Sequence, residues 1–351
     1  MKPSSKLSRR EFIKTCSLSL AGLFLPTSLH SRPTRLPDVE ILPSLLGRVT
    51  RSSIPVRAEP SEDSPRKGKL LRDEVVELLD IVESPQGPTH NPRWYQVEQG
   101  YIHSAYIQRV QDNPSSFILD SVPAGGLIGQ ITVPFVQSHL RNHEGYWVKL
   151  YRLYYSSVHW ITGLEQSPSG EILYKLTDEW LRVSYYAPAS SIQLLSPSDY
   201  SSITTSVSPD EKRLEVSLQD QLLTAFEGDL MVRQCKVSTG VRYMETPSGD
   251  FQIQRKFPSK HMGNGGLTSD SRAYELVGVP WATFFHDAGI AFHGTFWHDN
   301  FGAPMSHGCV NMTNPDALWL FRWTMPSYLL TEGEKPLWKV SGNQGTQVVV
   351  K

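Results

Sequence analysis

Residues 291–312 read AFHGTFWHDNFGAPMSHGCVNM, and this stretch organises the reading of the chain. It holds Cys309, one of three cysteines, and His293, His298 and His307, three of eleven histidines. Ser306, His307 and Gly308 precede the cysteine; Val310 and Asn311 follow it. A thiol beside a glycine on a tight turn is accessible to an acyl substrate. Successive backbone N–H groups there, those of Gly308 and Cys309 with His307 as a third, can converge on one oxygen. His293 ends the apolar run Gly289-Ile290-Ala291-Phe292, which reads as a buried strand. A strand end and a loop brought together by the fold put an imidazole beside a thiol. His307, two residues from Cys309, is a rival that fits the lining of a substrate channel. His298 and His286 read as loop or surface histidines. Two other readings stand beside a nucleophile: a disulfide between Cys235 and Cys309, and a metal site from His286, His293, His307 and Cys309. The spacing of the latter matches no zinc pattern.

The His-Gly-Thr step followed at this distance by Ser-His-Gly-Cys-Val-Asn closely resembles the signature of the L,D-transpeptidases, the YkuD-like enzymes of the bacterial cell wall. Thr246-Pro247-Ser248-Gly249-Asp250-Phe251 resembles a turn of the same family. Residues 274–285, YELVGVPWATFF, are similar to its aromatic segment, with Tyr274 counted among the substrate-binding candidates. The resemblance covers residues 210–345. It implies Cys309 as nucleophile, His293 as proton donor and acceptor, and the Gly294 carbonyl as the group that orients His293. It implies no cofactor and no metal. Ser306 and Asn311 fall at positions that hydrogen-bond within the turn or place substrate. The implied reaction is a two-step acyl transfer on a peptidoglycan stem tetrapeptide: Cys309 takes the acyl group of the third residue, D-Ala leaves, and an amine of a second stem completes a cross-link. With water as acceptor the activity is an L,D-carboxypeptidase. A wall-binding protein whose catalytic domain has decayed is the reading furthest from this.

With 351 residues there is room for two or three domains. The formal net charge of −1 gives no electrostatic argument for a nucleic-acid partner. Twenty-five glycines and twenty-five prolines favour short strands and turns, hence a mainly β chain. Ser8-Arg9-Arg10-Glu11-Phe12-Ile13-Lys14 is a twin-arginine pattern before a moderately apolar run. Residues 1–30 therefore read as an export segment, and the run is too short and polar for a membrane span of about 20 apolar residues. The expected location is the periplasm or cell wall, the expected partner is peptidoglycan, and the oligomeric state is left open.

Residues 31–44 read as a linker. Residues 45–110 show short apolar runs between turns, with Arg93-Trp94-Tyr95-Gln96-Val97 and Gly100-Tyr101-Ile102-His103; they resemble a bacterial SH3-like module. Residues 120–196 read as a second small β domain, in which Trp180-Leu181-Arg182-Val183 repeats the tryptophan strand and Trp147–Tyr151 is an inner strand. Serine-rich residues 197–209 read as a linker. In the last domain Arg213–Leu218 alternates as a half-buried strand does. Asn314-Pro315-Asp316 reads as a helix start with an asparagine cap, and that helix runs to about Trp323. The expected architecture is one or two small SH3-like barrels followed by a transpeptidase-type β-sandwich.

Overall fold

The computed structural model describes residues 45–203, 207–328 and 338–351. The twin-arginine segment and the 31–44 linker lie outside the described residues. The first module runs through β1 (Leu45–Val49), β2 (Ser53–Arg57), β3 (Arg66–Leu71), β4 (Val75–Leu78), β5 (Asp80–Glu83), β6 (Arg93–Val97), β7 (Gly100–His103) and β8 (Ile107–Val110). These make a three-stranded sheet, β4-β1-β8, and a five-stranded one, β3-β2-β7-β6-β5. Alternation does the folding: in β2, Ile54 and Val56 point inward while their neighbours face water. They meet Val49, Tyr95, Ile102 and Ile107 in one core. The apolar run 75–82 is two strands, because the chain changes sheets at Leu79: β4 pairs with β1, and β5 with β6.

The second module is a seven-stranded sheet built from β9 (Leu127–Ile131), β10 (Phe135–Arg141), β11 (Trp147–Tyr154), β12 (Val158–Gln166), β13 (Ile172–Thr177), β14 (Ser184–Pro188) and β15 (Ile192–Leu195). Its order is β11-β10-β14-β13-β12-β9-β15. Two expectations fail here. Trp147–Tyr151 lies on the edge strand β11, not an inner one. Residues 180–183 form a turn, not a strand. The cause is Asp178, whose Oδ1 accepts from the N–H groups of Trp180 and Leu181 at 2.8 and 2.7 Å and closes the chain on itself.

The third module holds β16 (Lys212–Ser217), β17 (Leu222–Glu227), β18 (Leu230–Lys236), β19 (Gly249–Gln252), β20 (Arg255–Gly263), β21 (Glu275–His286), β22 (Ile290–Gly294), β23 (Val310–Met312), β24 (Val340–Ser341) and β25 (Gln347–Val350). Its sheets run β18-β17-β16-β25-β19 and β23-β22-β21-β20-β24. The inner strand β25, parallel to the central β16, lies past residue 345, where the sequence reading ended the domain. Between the sheets Leu214, Val216, Leu223, Phe292, Val310, Leu320 and Phe321 are fully buried. Each contributes about 1.5–3 kcal/mol of transfer free energy. The helix Asn314–Trp323 lies on β21 and β22. Its cap is Thr313, one residue before the expected Asn314, because the threonine hydroxyl takes the Asp316 N–H.

The start of the serine-rich stretch has structure of its own. Pro197–Tyr200 is a one-turn helix whose Tyr200 stacks on Trp281 inside the core of the third module. The described residues belong to one compact unit. A buried charge cluster ties the modules together: Arg48 in β1 binds Asp73 at 2.7 Å and donates to the Phe296 carbonyl of the third module at 2.8 Å. Arg152 of the second module binds the other Asp73 oxygen at 2.5 Å. At Gly278 (φ +74°) an added Cβ would sit 2.3 Å from the buried His159 ring, so only glycine lets β21 approach the second module there.

Candidate active site

β22 and β23 run parallel, with His293 opposite Asn311 and Phe292 opposite Val310. One step earlier in that register Cys309 faces Ala291. Residues two apart share a face of a strand, so Cys309 and His293 project from the same side of the ladder, one on each strand. Both line one cavity of about 860 Å³. The apolar residues between them, Phe292 and Val310, point the other way into the core. The buried strand that ends on His293 is thus what aims the imidazole.

The Ser306–Cys309 turn is fixed from inside and outside. Ser306 Oγ donates to the Cys309 carbonyl and accepts the Gly308 N–H at 3.1 Å. Gly308 has φ +113°, a conformation that side chains strain. Thr246, from the Thr-Pro turn, donates its hydroxyl to the Gly308 carbonyl at 2.7 Å and accepts the Gly240 N–H at 3.0 Å. That turn therefore braces the cysteine. The Gly308 N–H is used within the turn, which corrects its place among oxyanion donors. Among the described residues the N–H groups of His307 and Cys309 have no protein acceptor.

His293 Nδ1 donates to the Gly294 carbonyl at 3.0 Å, which leaves Nε2 as the proton acceptor. No carboxylate touches the ring. At Gly294 a Cβ would lie 2.2 Å from Asn314 Oδ1, so no larger residue fits beside the base. Burial pushes the His293 pKa down to about 4, opposed by the Gly294 carbonyl. Burial also raises the Cys309 thiol pKa, opposed by the Ala291 N–H. At neutral pH the resting pair is therefore a thiol and a neutral imidazole. The sulfur lies 3.9 Å from the Gly289 carbonyl.

Asn311 is strapped to Ser238 by paired backbone bonds of 2.9 and 3.0 Å. Its side-chain amide lies 2.8 Å from His298 Nε2. His298 lies on the loop after β22, one of the two places expected for it, but it is not at the surface: it is 4% exposed, and burial, then His293, lower its pKa to about 3. Its Nδ1 accepts the Asn300 N–H at 3.2 Å, so the neutral ring carries its proton on Nε2. A ring N–H calls for an acceptor, which places the amide oxygen of Asn311 on His298. The amide nitrogen then takes the other, buried position, which has no protein partner. Asn311 is also one of the residues that line the cavity.

Tyr274 and His307 meet edge to face at the cavity rim, 5.2 Å between centroids. Burial, then Cys309, raises the Tyr274 pKa. His286 accepts the Ala288 N–H at the end of β21 and does not line the cavity. Cys235 and Cys309 are both free thiols, which removes the disulfide reading. Among the described residues no cluster of three His, Cys, Asp or Glu could hold a metal ion.

The sequence reading missed the cavity's remaining walls. From the second module comes Trp180; from the first come Thr50, Arg51, Arg72 and Tyr106. His261 of β20, also in the wall, is clamped by Asp178 at 2.5 Å and Glu275 at 2.8 Å. Burial opposes its charge, but the two carboxylates outweigh burial and raise its pKa. Lys260 beside it binds Glu179 at 2.5 Å. No motif marks these residues, since Asp178 and Glu179 lie about eighty positions from His261 and Lys260.

Residues 211–350 match the family model of the YkuD L,D-transpeptidase catalytic domain. No curated protein sequence matches the chain. Among solved structures, one of an Enterococcus faecium L,D-transpeptidase mutant is similar at 18% identity over 40% of this chain and 50% of that one, with TM-score 0.30. An L,D-transpeptidase from Mycobacterium smegmatis is similar at 19% identity over 54% and 98%, with TM-score 0.32. One from Xylanimonas cellulosilytica is similar at 24% over 42% and 64%, with TM-score 0.27. The chain spans about half the length of the Enterococcus protein.

Proposed function

We propose that this chain, through the L,D-transpeptidase catalytic domain at residues 211–350, is an exported cysteine acyl transferase that remodels peptidoglycan. The observation that carries the reading is the shared face of β22 and β23, which turns Cys309 and His293 into one cavity, with His293 held by the Gly294 carbonyl. His293 Nε2 takes the thiol proton as sulfur attacks the amide carbonyl of the third stem residue. The carbonyl electrons move to oxygen, where the His307 and Cys309 N–H groups and the Asn311 amide stand as donors. His293 returns the proton to the departing D-Ala nitrogen, leaving a thioester on Cys309. An amine from a second stem then attacks, His293 accepts its proton, and the thiol is restored. The thioester conserves the acyl energy, so the reaction needs no nucleotide.

Ser306 holds the turn that carries the nucleophile, Tyr274 and His307 frame the substrate entrance, and the twin-arginine segment delivers the chain to the wall. Among the described residues no helix is long and apolar enough to cross a membrane. The test is incubation with defined muropeptides followed by mass spectrometry. A cross-linked product with loss of D-Ala is expected, together with a covalent adduct on exposure to a carbapenem. Cys309→Ala should abolish both. Free tripeptide alone would reassign the acceptor to water, and an unchanged adduct on the variant would end the proposal.

A further inference from the structure

The cavity around Cys309 is not closed by the catalytic domain alone. Two turns of the first module, at Thr50–Ser52 and Arg72–Glu74, reach its wall. They are locked together, since the Arg72 N–H donates to the Ser52 carbonyl at 3.2 Å. Arg72 also donates from Nη1 to the Ser271 carbonyl of the catalytic domain at 2.8 Å, while its Nε is buried without a partner. Arg51 lies over the Tyr106 ring, 4.6 Å from the centroid, and makes no hydrogen bond or ion pair among the described residues. The other two cations of the wall are already engaged: Arg272 by Asp270 at 2.9 Å, and Lys260 by Glu179. Among the described residues no aspartate or glutamate lines the cavity. Asp270, the carboxylate that feels Arg72, is the one Arg272 holds.

Resting on the acyl-transfer reading, we propose that Arg51 and Arg72 form an anion subsite, by which the first module selects an acyl-donor peptide carrying a free carboxylate. Two cations without carboxylate partners, on the wall of a concave site, focus a positive field where a peptide must enter. A guanidinium takes a carboxylate through paired N–H groups, and the Tyr106 ring holds Arg51 flat for that contact. The first module is then part of the substrate site. Its attachment to the catalytic domain through Arg48 and Phe296 keeps that subsite at a fixed distance from the sulfur.

The test uses the full chain carrying Cys309→Ala, with a stem tetrapeptide offered either with its side carboxylates free or with the same groups amidated. Calorimetry should show the acid form binding at least about tenfold more tightly, the scale of a charge-assisted hydrogen bond. That gap should shrink with added salt. Adding Arg51→Gln should remove most of it, and Arg51→Lys should keep part. Arg51 anchors no other group, so melting temperature should hold. Equal affinity for the two peptides, no binding of the acid form, or a gap untouched by Arg51→Gln would overturn the subsite. The active chain decides the chemistry separately: binding as described with no D-Ala release would overturn the transferase reading and leave the subsite standing.

Discussion

Replacing Arg48 with methionine tests whether the first module is built into the active site. Arg48 is 2% exposed. Its guanidinium binds Asp73 at 2.7 Å, Gln108 at 3.0 and 2.7 Å and the Phe296 carbonyl at 2.8 Å, and it stacks 4.1 Å from the Tyr154 ring centroid. Burial lowers its pKa and the Asp73 charge opposes that, so the site holds the cation against its desolvation. Methionine keeps the stem's volume but leaves Asp73 buried, with one partly exposed cation, Arg152, on its other oxygen. Removing one partner of a buried pair costs about 3–5 kcal/mol. Because Arg152 remains, the lower end applies, about 3 kcal/mol, and the orphaned Phe296 carbonyl adds about 1 kcal/mol. Urea unfolding of the full chain should show that loss in its first transition, with m unchanged. Asp73 has φ +66°, which asparagine tolerates. The double variant Arg48→Met/Asp73→Asn should therefore unfold at least about 1 kcal/mol less easily than the two single losses add up to. An Arg48→Met chain within about 1 kcal/mol of the parent, or strict additivity, would refute the coupling of the modules through this cluster.

Three further predictions concern the pair and its neighbours. With the His293 pKa near 4 and the Cys309 thiol raised, kcat/KM should be flat from pH 5 to 8 and halve near pH 4, read from D-Ala release across buffers; an acid limb near the ordinary histidine value would contradict the burial argument. The same burial acts on stability. His159, His293 and His298 have folded pKa values of about 3, 4 and 3, so below the ordinary value of about 6.5 the unfolded chain binds protons the folded one does not, and stability should fall with pH through that window. His261, raised by Asp178 and Glu275, acts in a different window: its stabilisation is fully present below about 6.5 and is lost as pH rises above that value. Last, His298→Phe keeps a ring in place but removes the N–H that orients Asn311; kcat should drop about tenfold with KM little changed, and a chain equally active after this change would show that Asn311 needs no such anchor.

The parts of the site that the sequence reveals are those whose chemistry needs neighbours along the chain. Gly308 and Cys309 must be adjacent for the turn to exist, Gly294 must follow His293 for its carbonyl to reach Nδ1, and the Thr-Pro turn carries its own rigidity. Strand alternation likewise locates β16 within one residue. What the sequence hides depends on distant partners. His298 looks like a loop histidine because nothing local says that Asn311 will cover it. Trp180 looks like a strand residue because Val183 mimics a pattern, and one carboxylate, Asp178, decides otherwise. Arg48 lies 248 positions from the carbonyl it binds. Even Gly308, correctly placed beside the nucleophile, has its N–H taken by a hydroxyl two residues back, a choice of geometry that residue types do not encode.

The electrostatics divide the work of the cavity. Arg51 and Arg72, which have no carboxylate partner among the described residues, line its wall, yet the thiol pKa is raised and not lowered, so their field does not hold a thiolate at rest. The nucleophile must be made at the moment of attack, by a base that the same burial keeps neutral and able to accept a proton. Neutral partners remove the need to desolvate a standing ion pair when substrate enters, and they leave the donors around Asn311, His307 and Cys309 to act on charge only as it forms on the substrate oxygen. The remote arginines then act on charge that the substrate already carries in its ground state. Interactions of that kind are equally present before and during the chemical step, so they belong to KM, while those at His293 and Asn311 belong to kcat. A chain organised this way should let the wall-facing arginines be altered to change which peptide is accepted without changing how fast a bound peptide reacts.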